Sequence, residues 1–159
     1  MENKTNVMRI LDKANVKYNF LKCTDEPFIS AEEICKSLNL DPKKDFKTLV
    51  TIGKSRMNYV FCIPASSTLD LKKAAKVVNE KNIEMIPLKD LLKTTGYVHG
   101  GCSPIGMKKQ FKTVFDVSAK NYETIFFSAG KINEVVEVKV DDIPKIIQCY
   151  FEDIVKENA

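Results

Sequence analysis

Histidine is almost missing from this sequence: His99 stands alone in 159 residues. Every serine–histidine or cysteine–histidine mechanism would have to run through that one imidazole. Cysteine is present but not in the patterns that matter. Cys23, Cys35, Cys62, Cys102 and Cys149 are widely spaced, odd in number and without a CxxC pair. That argues against a disulfide framework and against a Cys/His zinc site, so reduced thiols and no bound metal are expected. No apolar run approaches the roughly 18 residues of a membrane span. The first ten residues, MENKTNVMRI, lack the apolar core of a signal peptide, which points to a cytoplasmic protein. Neither GxxxxGK[ST] nor GxGxxG stands between a strand and a helix, so the usual nucleotide cradles are absent.

What is present describes one folded domain over residues 1–159. Hydrophobic residues make up 44% and aromatics 9%, enough for a sizeable core. The net charge of +4 is too small to coat a nucleic acid, yet it is compatible with a local contact. Val7, Ile10, Leu11 and Ala14 have helical spacing, which predicts a helix over residues 4–15 and a strand over 16–21. Ser30 and Glu33 form a capping box for a helix burying Ala31, Ile34 and Leu38, ending before Asp41-Pro42. Residues 46–52 and 58–63 read as a hairpin turning at Gly53. Asp70 caps a helix with Leu71, Ala74, Ala75 and Val78 on one face. A strand over 83–86 and a helical turn through Leu88, Leu91 and Leu92 follow. Residues 114–117, 124–128 and 135–140 are strand-like. Asp141 is expected to open a last helix with Ile143, Ile146, Ile147, Tyr150, Phe151 and Ile154 on one face. Without strict βαβ alternation, the fold class is α/β with a mixed, curled sheet.

Residues 96–106, GYVHGGCSPIG, hold four glycines and a proline. Gly100 and Gly101 let backbone approach a ligand closely, and free loop amides can bind a carbonyl oxygen or phosphate. An ordinary tight loop also accounts for them. Lys47, in DFKTLV, is a lysine at the start of an apolar strand; it either snorkels or holds an anionic or carbonyl group in a pocket. His99 and Cys102 read more simply as a surface imidazole and an inert buried thiol than as catalysts. Ser128 and Gly130, in SAGK, end a strand where loops often carry function. Lys43/Lys44, Lys72/Lys73/Lys76 and Lys108/Lys109/Lys112 matter only if they converge on one site.

The order of these pieces is more specific than any one of them. KTLV, then LDLKKAAK, then TGYVHGGCSPIGMKK and finally FFSAGK resemble the YbaK/EbsC family of aminoacyl-tRNA deacylases. The family is related to the editing domain of prolyl-tRNA synthetases, and the resemblance spans roughly residues 3–155. The glycine loop is most similar to the Cys-tRNA(Pro) deacylase branch. The resemblance implies an α/β domain with a mixed, barrel-like sheet flanked by helices, acting without metal or organic cofactor. It implies that Lys47 holds the terminal adenosine or aminoacyl end. It further implies that Gly100, Gly101, Cys102, Ser103 and Pro104 wall the aminoacyl pocket opposite Ser128, Ala129 and Gly130. The implied partners are the acceptor end of aminoacyl-tRNA and prolyl-tRNA synthetase, not DNA or a membrane. In the cysteinyl branch the substrate's own thiol is implied to attack its carbonyl, favoured by proximity. An Ala-tRNA(Pro) deacylase of the same fold and a non-catalytic module binding tRNA or synthetase are the alternatives. Cys23 stands where some members have an aromatic hydroxyl, and Val135 where they have an acidic residue.

Overall fold

The computed structural model describes residues 4–23 and 31–157. Thr5 ends the first extended segment, and its Oγ1 accepts from the amide of Met8, capping helix α1 (Asn6–Lys13). Val7, Met8 and Leu11 bury one stripe of that helix. Strand β1 (Tyr18–Lys22) follows, then α2 (Ala31–Leu38). The predicted Ser30 cap lies outside the described residues.

Strands β2 (Phe46–Gly53) and β3 (Asn58–Pro64) form the expected antiparallel hairpin. Gly53 closes β2, and it is Arg56, at φ 75°, that takes the left-handed turn position. Asp70 caps α3 (Leu71–Val77): its Oδ1 accepts from the amides of Lys72 and Lys73, both at 3.0 Å. Those two bonds hold its carboxyl below the usual range. Ala74, Ala75 and Val78 are buried as predicted, whereas Leu71, in the first turn, is exposed. Strand β4 (Ile83–Met85), a 3-10 turn over Leu88–Asp90 and α4 (Leu91–Thr95) lead into the glycine loop. Strand β5 (Lys112–Asp116), a 3-10 turn over Val117–Asn121, β6 (Thr124–Ser128) and β7 (Glu134–Lys139) complete the middle of the chain.

The predicted C-terminal helix does not form. A 3-10 turn over Val140–Lys145 contains Pro144, and β8 (Cys149–Glu152) follows. Pro144 cannot donate back to Val140, the turn's last helical bonds are from Ile146 and Ile147 to Ile143, and β8 begins two residues further on. The apolar residues beyond it instead pair with β5 in parallel, Val114 opposite Tyr150 and Phe115 opposite Phe151. Their side chains alternate: Cys149 and Phe151 pack on the main core, while Tyr150 and Glu152 are exposed on the other face.

The strands make two sheets. One, β1-β7-β6, is antiparallel throughout; the other, β4-β2-β3-β5-β8, is mixed. A parallel bridge between Asp45 and Phe126 joins them, with the amide of Phe126 donating to the carbonyl of Lys44 at 2.9 Å. The curled sheet of the sequence reading is therefore two sheets seamed at the start of β2, and that seam positions everything below. The main core, with Phe46, Val60, Phe115, Ile125, Phe127 and Ile143, fills the space between them. A second core under α3 covers the opposite face of β3.

Candidate active site

Lys47 lies one residue inside β2, facing Ile63 across the hairpin. Its side chain is half-buried, and Nζ donates to the carbonyl oxygen of Ala65 at 3.3 Å. An ammonium has three donors, and among the described residues this one has a single protein acceptor. Two donors therefore remain for a ligand.

Two residues earlier stands Asp45, which sequence reasoning did not single out. Its side chain is only 5% exposed, its carbonyl accepts from the amide of Ala65 at 2.7 Å, and its Oδ2 accepts from the thiol of Cys35 at 3.0 Å. Burial pushes this carboxyl up to about 6, and the Cys35 hydrogen bond opposes the shift. The available signal was an aspartate immediately before an apolar strand, where a lysine-rich turn would otherwise run into the core.

Parallel strands advance in step. Because Asp45 bridges Phe126, Lys47 and Ser128 each lie two residues beyond the bridge, on neighbouring strands. Ser128 Oγ accepts from the amide of Gly130 at 3.0 Å, so this hydroxyl fixes the turn in which Ala129 is buried and Gly130 takes φ 97°.

The glycine loop packs onto that same turn. A side chain on Gly101 would place its Cβ 3.1 Å from the amide nitrogen of Ile132 and 3.2 Å from the carbonyl carbon of Lys131. Only hydrogen fits there without moving backbone. Gly130 is approached in turn by the ring of Tyr97, whose hydroxyl donates to the carbonyl of Ile105. Burial, with Cys102 nearby, pushes the Tyr97 phenol up to about 12, so it remains a donor. Within the loop, Gly101 donates to Val98 at 3.0 Å and Ile105 to Ser103 Oγ at 3.3 Å. Among the described residues the amides of Gly100, Cys102 and Ser103 donate to no protein acceptor.

The structure thus brings the glycine loop and residues 128–132 into contact, and Lys47 lies on β2, which meets β6 at the Asp45–Phe126 bridge. The remaining residues of the loop and its surroundings are placed as follows. Cys102 is buried in the main core, and burial pushes its thiol up to about 12, against a hydrogen bond from Thr95. Ser103 is fully buried and spends its hydroxyl inside the loop, Pro104 is buried beside it, and His99 is exposed. Cys62, across from Thr48, is buried and its thiol is raised further still. No group of three or more His, Cys, Asp or Glu able to hold a metal occurs among the described residues. No helix among them is long and apolar enough to cross a membrane.

Cys23 and Val135, the two departures from the family pattern, pack in one small apolar cluster with Phe126, Leu21, Leu38 and Leu40.

Two seamed sheets, with a half-buried lysine near the seam and a glycine loop packed on the turn after β6, define a single-domain α/β fold shared with solved proteins. A crystallised candidate trans-editing enzyme for prolyl-tRNA synthetase superposes with a TM-score of 0.82 at 17% identity, covering 98% of this chain and 100% of that one. A crystallised hypothetical protein gives 0.86 at 16% identity, covering 96% and 100%. At sequence level, the model of the aminoacyl-tRNA editing domain matches residues 25–146. EbsC of Enterococcus faecalis, named as a candidate Cys-tRNA(Pro)/Cys-tRNA(Cys) deacylase, is 46% identical over 122 residues, or 76% of this chain and 74% of EbsC. The chain belongs to the aminoacyl-tRNA editing domain family.

Proposed function

We propose that this protein hydrolyses the ester of mischarged aminoacyl-tRNA, with Cys-tRNA(Pro) as its substrate. The observation that carries the reading is the glycine loop, whose Gly101 packs against residues 131–132 and whose neighbouring half-exposed Gly100 has an amide that donates to no protein acceptor. Amides so placed stabilise charge developing on an ester carbonyl oxygen, and Lys47 orients the terminal nucleotide. The identity to EbsC supports the cysteinyl choice.

The described side chains near the loop supply no nucleophile suited to neutral pH, because Cys102 and Cys62 are held as thiols. A cysteinyl ester brings its own. Its sulfur bonds to the carbonyl carbon, the carbon–oxygen ester bond breaks, and the ribose oxygen leaves with a proton. The resulting thiolactone then takes up water to give free cysteine. Intramolecular attack of this kind gains its rate from proximity, so the protein's task is positioning. On this reading prolyl-tRNA synthetase is the partner that generates the substrate, in the cytoplasm where translation runs.

A panel of Cys-, Ala- and Pro-charged tRNAs tests it. Release of cysteine at least about tenfold faster than of alanine or proline is expected. Preferential release of alanine replaces the proposed substrate. Binding without hydrolysis of any species leaves a non-catalytic module.

A further inference from the structure

Four lysines lie over aromatic rings, and all such stackings among the described residues fall in one band. Lys44 Nζ sits 5.8 Å from the ring centre of Tyr122 and 5.6 Å from that of Phe126. Lys120 covers Phe151 at 4.9 Å, Lys112 covers Tyr150 at 5.0 Å and Lys109 covers Phe111 at 6.0 Å. The band begins three residues before Lys47. It passes through Tyr122 to the turn carrying Lys120, and ends around β8, the outer strand of the mixed sheet. There Lys112 and Lys120, one on each face of β8, line a shallow groove with Val77 and the four strand residues.

Ring stacking sets these four lysines apart from the other lysines of the described residues, and none of the four has an ion pair there. A stem laid on a ring keeps its ammonium in water yet restricts its rotamers, so little further entropy is lost on meeting an anion. Lysines flanking an edge strand also discourage addition of a peptide strand. Glu152 is the one carboxylate in the groove lining, against two lysines.

We propose that this lysine–aromatic band is the docking surface for the sugar–phosphate backbone of the tRNA acceptor stem, with Lys112 and Lys120 as its outer phosphate contacts. The inference rests on the deacylase reading above and adds where the rest of the substrate lies. Affinity then resides at the β5–β8 edge and chemistry at the seam.

The test is binding of uncharged tRNA by the wild type and by the double variant Lys112→Gln/Lys120→Gln, followed by fluorescence anisotropy across a salt series. Each phosphate contact on a duplex contributes about 0.9 to the slope of log affinity against log salt. The double variant should lose about tenfold in affinity, with its slope reduced by about 2, while Lys112→Arg/Lys120→Arg keeps both. With Cys-tRNA, KM should rise by a similar factor at unchanged kcat, and hydrolysis of cysteine esterified to adenosine alone should be unaffected. Unaltered tRNA affinity and slope in the glutamine variant overturn the proposal and leave the band to a protein partner. Because anisotropy needs no turnover, it separates this outcome from failure of the deacylase reading, which the charged-tRNA panel reports.

Discussion

The seam between the sheets and the outer edge around β8 handle positive charge in opposite ways. At the seam, Lys47 is half-buried with one protein acceptor, two residues from a buried carboxyl. At the edge, Lys112 and Lys120 are exposed, each over a ring, and Tyr150 keeps 41% of its surface in water. A charge in a poorly solvated place interacts strongly with the few groups it meets, while exposed charges are screened beyond about a Debye length and act in number. The seam should therefore respond to single substitutions, and the edge only to combined ones.

The largest break in that contrast is expected at Lys47. Lys47→Ala should lower kcat/KM for Cys-tRNA at least a hundredfold, equivalent to about 3 kcal/mol of transition-state stabilisation. Its urea unfolding midpoint should correspond to a stability change within about 1 kcal/mol, since the lost contacts are one hydrogen bond and a partly solvated stem. A folded Lys47→Ala protein with full activity would remove the seam from the chemistry.

Asp45 tests the same region through pH. Its carboxyl has an ordinary value of 3.8 and is raised to about 6 in the fold, chiefly by burial. Between those values the folded state holds more proton than the unfolded chain. Stability from this group is therefore complete below about pH 4 and is lost as pH rises through 6. The full range is roughly 3 kcal/mol. Asp45→Asn keeps an acceptor for the Cys35 thiol but cannot ionise, so its urea midpoint should vary less between pH 4 and 6. The same fall with pH in Asp45→Asn would place the titrating group elsewhere.

These two neighbours also show what sequence could and could not reveal. Lys47 was legible because a lysine at the start of an apolar strand contradicts its surroundings, and the ordered motifs resemble a known family. The Asp70 cap and the β2–β3 hairpin were legible because their signals are local. Asp45 was not, since its contacts with Cys35, Ala65 and Phe126 appear only once the chain folds back on itself. The band of stacked lysines was hidden for the same reason: Lys120 and Phe151 meet only because β8 pairs with β5. The C-terminal segment misled outright. Ile143, Ile146 and Ile147 have helical spacing and form one helical turn, but strand pairing takes over from Cys149. Periodicity alone cannot separate a short apolar helix from a buried strand.

The smallest effect is expected at His99, and it bears on how the chemistry runs. This is the one imidazole in the chain, adjoining Gly100, and it is exposed. A general base would have to take a proton near the amides of Gly100, Cys102 and Ser103. A substrate that carries its own thiol relieves the protein of most of that work. Loss of a general base typically costs about 10²–10⁴-fold, whereas loss of an exposed side chain outside the reaction should change kcat/KM by less than about twofold. His99→Ala should therefore follow the wild-type pH–rate profile for Cys-tRNA. A drop of a hundredfold, or a changed profile, would move proton transfer from the substrate to the loop. It would also make the seam a conventional acid–base site rather than a positioning one.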